Sequence, residues 1–265
     1  METPLSQLTT LQLLVFSGLI GLVMGSFISM LTWRMPRILM MDDNEQFKAI
    51  TFGGSKCPSC DTNLPWYRLI PVFSWLWSKG KCHHCQTPIS TRYPLIEVAT
   101  TITTVLIIWL YGPNLVGFAA LLFSWILITI SVIDFEHQLI LDNLSLPLLW
   151  LGLLFNTQSL FTNPVDAIWG AILGYMLLWI LFHIFKLITG KEGMGYGDFK
   201  LLAALGAWFG VMAIPQIILI ASLSSLVIGL GGVLLKLRTY DSPLAFGPFL
   251  AIGGWVTLVM GVSLF

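Results

Sequence analysis

Eight apolar runs, most of them about as long as a bilayer is thick, leave this chain few ways to fold. They fall roughly at 11–33, 95–111, 114–133, 144–160, 166–188, 199–212, 213–237 and 243–264. A transmembrane helix needs about 20 mostly apolar residues, and the runs at 144–160 and 199–212 are short for one. Charged residues make up only 10% of the chain and hydrophobic ones 56%, whereas a soluble domain carries roughly 25% charged residues. The expected fold is therefore all-α and polytopic, with about eight transmembrane helices and a small loop domain on the cytoplasmic side. Its parts are a first membrane helix at 1–33, a cytoplasmic loop at 34–94 and a seven-helix membrane core at 95–265.

The first run is read as a retained helix rather than a cleaved signal. "METPLSQLTT" carries no positive residue, and the apolar stretch behind it exceeds the roughly 7–15 residues of a secretory signal core. Net charge is zero, so the overall balance selects no partner, but the charges are unevenly placed. Eight of the thirteen Lys and Arg residues lie between Arg34 and Arg92, which makes that loop cytoplasmic by the positive-inside rule. Counting spans from there puts 134–143, 187–198 and the turn near Lys236 and Arg238 on the same face. The other basic residues, Lys186, Lys191, Lys200, Lys236 and Arg238, all fall at those ends, so none is left outside.

The same loop holds all four cysteines, as "CPSC" at 57–60 and "CHHC" at 82–85. Two CxxC pairs with 21 residues between them have nearly the spacing of a zinc site. Each pair forms a knuckle that aims two thiolates at one ion, so Cys57, Cys60, Cys82 and Cys85 are the expected ligands of a closed, structural zinc. A reducing cytosol disfavours the rival reading of two disulfides. His83 and His84 are read as loop residues at a knuckle tip. The module, about 50–93, is too small to be held by a hydrophobic core, so the metal would supply folding free energy. Between the knuckles runs "LPWYRLIPVFSWLWSKGK", whose aromatics either pack on the module or lie at the membrane interface, where Trp and Tyr are favoured.

Ionisable groups beside hydrocarbon are costly and are functional candidates for that reason. Asp134, Glu136 and Asp142 lie in "VIDFEHQLILD", and Glu192 and Asp198 lie in and before "GMGYGDFK". Helix capping accounts for Asp142, a solvated loop for Glu136 and His137, and the neighbouring Lys191 for Glu192. Asp134 falls at a helix carboxyl end, where the dipole disfavours negative charge and no cap requires it. Asp198 precedes a helix and has a capping reading of its own, but Gly193, Gly195 and Gly197 permit an open turn and a close approach by another chain. Two membrane crossings separate Asp134 from Asp198, which returns both to one face. Two carboxylates brought together share a proton and activate water for attack on a peptide carbonyl. Two unrelated helix-end carboxylates are the alternative.

"GYGD" at 195–198 fits the GxGD signature of membrane aspartic proteases, and nearly the whole chain resembles the type IV prepilin peptidases, also called leader peptidase/N-methyltransferases. The likeness also rests on "GSFISMLTWRMP" at 25–36, the paired CxxC knuckles, "RYPLIE" at 92–97, and "ID" at 133–134 with a second aspartate at 142. It implies that Asp134 and Asp198 are the catalytic pair, with Gly195 and Gly197 in the active-site loop. The implied substrate is a type IV prepilin or type II secretion pseudopilin precursor, cut on the cytoplasmic side of a bacterial inner membrane after the glycine that ends a short basic leader. The resemblance further implies methylation of the new amino terminus with S-adenosylmethionine, for which the residues offer no dinucleotide-type fingerprint. "GLGG" at 229–232 lies in an apolar helix, where tight helix packing is the expected role. Glu97, at the loop's exit, is read either as a polar contact for that chemistry or as a membrane-edge carboxylate near Arg92. Leu141 stands where the family usually has proline, which bears on the shape of the 134–142 loop.

Membrane lipid is the other expected partner, and nucleic acid is not one. A polytopic transporter and a zinc-containing scaffold without catalysis are the competing classes. Transporters place charged groups near the midplane of repeated helices, whereas these charges cluster at one face. A scaffold leaves Asp134 and the glycine turn without purpose. A metalloprotease is disfavoured because the chain has no HExxH and four cysteines leave zinc no open position.

Overall fold

The computed structural model describes residues 9–38, 55–191, 193–236, 239 and 244–262. Among them the regular structure is helical, with two isolated antiparallel bridges beside it. Its helices are α1 (Thr10–Ile38), α2 (Phe73–Trp77), α3 (Arg92–Tyr111), α4 (Leu115–His137), α5 (Asp142–Asn156), α6 (Pro164–Thr189), α7 (Tyr196–Phe209), α8 (Ala213–Leu234) and α9 (Gly247–Met260), with a single 3₁₀ turn at Trp66–Leu69. A helix thus stands at each of the eight apolar runs. Five of them, α1, α3, α4, α6 and α8, are long and apolar enough to cross a membrane, so the chain is a multi-pass membrane protein. The other three, α5, α7 and α9, have 15, 14 and 14 residues. Glu192 and Arg238, read above as cytoplasmic charges, lie outside the described residues.

The chain divides into two compact units, Met1–Trp125 and Ile126–Phe265, with the division inside α4. In the first, α1 packs along α3. Gly21 and Gly25 make this possible: a Cβ on either would stand 2.7 Å from the Cα of Thr101 or Glu97. Small residues spaced by four let two backbones meet closely where water supplies no driving force. Arg92 secures the same pair by donating to the Ser29 carbonyl (3.3 Å) and the Thr32 hydroxyl (2.8 Å) on α1.

In the second unit α7 is the central post and packs against α5, α6, α8 and α9. Its residues from Leu201 to Phe209 are all buried, which is why a helix of 14 residues suffices there: neighbouring helices, rather than lipid, cover it. Gly170 of α6 and Gly206 of α7 sit against each other's backbone with no room for a Cβ on either. Trp208 packs over Gly152 of α5 and donates its indole N–H to the Leu148 carbonyl at 2.8 Å. Asn156, fully buried, gives its amide to the carbonyls of Ala207 and Trp208 and accepts from the N–H groups of Phe161 and Thr162. It satisfies the polar ends of two helices and a turn with one side chain, which a buried amide must do to offset its desolvation. In the "GLGG" run, Gly229 has Leu244 at 3.7 Å and Gly231 has nothing within 4 Å among the described residues.

Candidate active site and cysteine cluster

Asp134 occupies the last turn of α4. Its carbonyl accepts the N–H of Gln138 at 2.8 Å, and Gln138 adopts φ +53, which ends the helix and turns the chain toward Ile140. At 5% exposure the Asp134 side chain is buried, and its Oδ2 accepts the backbone N–H of Gly247 at 2.9 Å. A Cβ at position 247 would lie 2.7 Å from that oxygen. Only glycine lets the first turn of α9 approach so closely.

Asp198 sits in the first turn of α7, three residues after the N-cap Gly195. It is not the cap itself. Its backbone N–H bonds to the Gly195 carbonyl at 3.2 Å, and its carboxylate lies in the first turn, where the positive end of the helix favours negative charge. Its exposure is 8%, and it lies within electrostatic range of Asp134. The structure thus brings together the two aspartates that sequence reading singled out.

The glycines of this turn divide by role. At Gly195, with φ −82, an added Cβ would meet Asp198 at an ordinary 3.7 Å, so space does not demand glycine. At Gly197 it would stand 2.6 Å from the Cβ of Ile140. Ile140 therefore wedges against the start of α7, and its Cδ1 lies 3.0 Å from the same construction at Gly247. One side chain from the 138–141 turn sets the spacing between the segments that carry both carboxylates. Leu141 holds φ −80 in extended backbone, within the range a proline ring imposes, so the missing proline leaves the turn its shape.

The reading of one neighbouring charge changes. Asp142 makes no cap: Leu141 is the N-cap residue of α5, and no side-chain cap bond forms there. Instead both Asp142 oxygens accept from Lys200, at 2.6 and 2.8 Å. Lys200 accordingly ties α7 to α5. Gly247 and Ile140 had no signal in the sequence, since a backbone donor and an aliphatic wedge carry no recognisable motif.

In the other unit the four cysteine sulfurs lie within 4.8 Å of one another, and all four are free of disulfides. The two bridges, Lys56 with Asn63 and Lys81 with Pro88, close the two knuckles. Cys57 and Cys85 are 3.7 Å apart, close to the ~3.8 Å that sulfurs at 2.3 Å from one tetrahedral zinc require. The hydroxyl and backbone of Thr87 hold Cys85 down at about 6, and the N–H groups of Cys85 and His84 lower Cys82. The Ser59 N–H pulls Cys57 down too, but burial and the neighbouring sulfurs outweigh it and push that thiol up to about 11. A set with low and high members, crowded together, suits a cation that replaces the protons. His83 and His84 are exposed and outside the cluster. Glu97 is buried, and its Oε2 accepts the N–H of Val72 at 2.7 Å.

Residues 19–111 match the bacterial peptidase A24 N-terminal domain, and residues 121–230 match the type IV leader peptidase family. The chain is similar to prepilin leader peptidase/N-methyltransferases from several bacteria. That of Aeromonas hydrophila is 42% identical over 261 residues, covering 93% of this chain and 90% of the relative. That of Stutzerimonas stutzeri is 43% identical over 258 residues, with 91% and 89% covered. That of Pseudomonas aeruginosa is 42% identical over 261 residues, with 92% and 89% covered. No solved structure matches the chain.

Proposed function

The chain belongs to the type IV leader peptidase family, and from that premise we propose that it is a bifunctional membrane enzyme. It removes the leader from prepilins or pseudopilins as an aspartic endopeptidase and then methylates the new amino terminus. Asp134 and Asp198 are the catalytic pair. The observation that supports this reading is a pair of buried carboxylates within electrostatic range of each other, on segments that both close against Ile140, with Asp134 oriented by the Gly247 N–H. Such a pair holds one proton between two acids. The ionised member takes a proton from water as the oxygen attacks the scissile carbonyl. The protonated member donates to the carbonyl oxygen, and the departing amine receives a proton as the tetrahedral intermediate collapses.

Gly195 and Gly197 form the turn that presents Asp198. S-adenosylmethionine is the co-substrate that supplies the methyl group. Cys57, Cys60, Cys82 and Cys85 hold one structural zinc, whose binding free energy folds the loop module. All eight apolar helices cross the bacterial inner membrane, α5, α7 and α9 within the bundle, and both aspartates face the cytoplasm, where the Lys and Arg residues gather.

Mass spectrometry of a prepilin incubated with wild-type protein, Asp134→Asn and Asp198→Asn tests the assignment, with and without S-adenosylmethionine. Wild type alone cleaves after the leader glycine, and a methyl group is added only when the donor is present. Cleavage by either variant removes that aspartate from the mechanism.

A further inference from the structure

The cysteine module carries an apolar face that its own core does not explain. Trp75 turns inward: it donates to the Ile89 carbonyl at 3.1 Å and packs against Gly80. Phe73, Leu76 and Trp77 turn outward at 59%, 58% and 89% exposure. Positions 73, 76 and 77 share one side of α2, and Leu69 and Ile70 extend the face upstream, both exposed. A patch of this kind on a small domain marks a contact with something apolar.

Three observations identify what covers it. First, α2 begins beside a membrane helix. The N–H of Val72, just ahead of α2, bonds to Glu97, the sixth residue of α3, which is about 7.5 Å along that helix at 1.5 Å per residue. Val72 adopts φ +60, a conformation rare for a β-branched residue, and the bond to Glu97 helps to hold it there. Second, Leu69 and Pro71 line an open groove of about 300 Å³ together with Val23, Ser26, Phe27 and Met30 of α1. Val23 and Phe27 are exposed on a helix that is apolar enough to cross a membrane. The lipid-facing side of α1 thus continues onto the module without a break. Third, the described module residues 55–91 carry Lys56, Arg68, Lys79 and Lys81 against Asp61 as their sole acid, a balance that suits anionic headgroups.

We infer that α2 is an interfacial anchor: Phe73, Leu76 and Trp77 insert into the headgroup region of the bilayer that α1 and α3 cross, with phospholipid as the occupant of the groove. Trp favours this depth because its ring is apolar and its N–H finds polar partners there, and short amphipathic elements bind such an interface by their apolar face. The Glu97 bond then serves as a positioning contact that fixes the module at this depth. The inference requires only that α1 and α3 span a membrane and stands apart from the catalytic assignment.

The test uses the full-length protein in nanodiscs of phosphatidylethanolamine and phosphatidylglycerol, with p-benzoylphenylalanine placed singly at position 73, 77 or 84. His84 is exposed at the knuckle tip and is the control. After irradiation, intact mass spectrometry is expected to show a phospholipid adduct at 73 and 77 and none at 84. An adduct with a second copy, or with added prepilin, in place of lipid would overturn the inference in favour of a protein-docking face; no adduct at 73 and 77 would overturn it outright. Trp77→Phe supplies a second reading that does not depend on the unnatural residue. Brominated lipids are expected to quench the emission difference between wild type and Trp77→Phe, and an unquenched difference would likewise overturn it.

Discussion

Gly197→Ala is the sharpest probe of how the two aspartates are held in register. The new methyl carbon would stand 2.6 Å from the Cβ of Ile140 and 3.4 Å from both of its γ carbons. Carbon atoms rest at about 3.5–4.0 Å, so the start of α7 and the 138–141 turn must separate by about 1 Å. Because the near atom is a Cβ, no rotation of the Ile140 side chain relieves the overlap. Overpacking of this kind costs about 1–3 kcal/mol, and a displacement of about 1 Å at a catalytic group lowers a rate by about 10²-fold. The assay is initial-rate cleavage of a prepilin by purified protein, with thermal unfolding as a check on folding. Ile140→Gly removes the offending carbon and is expected to restore much of the lost rate in the double variant. Ile140→Ala retains that carbon and is expected to restore little. Wild-type rates from Gly197→Ala alone, or equal rescue by the two changes at Ile140, would refute the reasoning.

Further expectations concern other contacts. Gly247→Ala places a carbon 2.7 Å from the Asp134 Oδ2 and displaces the donor that orients it, so cleavage in the same assay is expected to fall at least as far as for Gly197→Ala. Asp142→Asn and Lys200→Met are expected to lower stability by only about 0.2–1 kcal/mol in denaturation, since the pair is 53% and 29% exposed and solvent screens such contacts. Trp208→Phe deletes the buried donor to the Leu148 carbonyl and is expected to cost about 0.5–1.5 kcal/mol, read as a lowered thermal midpoint in detergent. Elemental analysis is expected to find one zinc per chain, lost in Cys82→Ser, with the 55–91 segment becoming sensitive to protease; a zinc-free preparation that resists protease there would remove the metal from the account.

The legibility of this protein follows the range of the forces involved. Hydrophobic runs and sparse charge dictate membrane helices by themselves, because each helix satisfies its own backbone and the bilayer accepts any apolar surface. Two CxxC knuckles, each made by neighbours in sequence, foretold the sulfur cluster. The position of Asp134 at an unfavourable helix end and of Asp198 on a glycine turn marked both before any contact was known, and the motif order pointed to the family. Contacts between distant residues were another matter. Asp142 reads locally as a cap, and only the packing of α5 on α7 reveals Lys200, 58 residues away, as its partner. The donor to Asp134 is a backbone N–H 113 residues downstream, and every residue but proline has one, so no side chain announces it. Ile140 is one aliphatic residue among many until two glycines from different helices close around it. Composition and local pattern decide which segments form and where they lie, whereas the choice of which surfaces meet belongs to close packing, where tenths of an ångström decide and every partner must be in place at once.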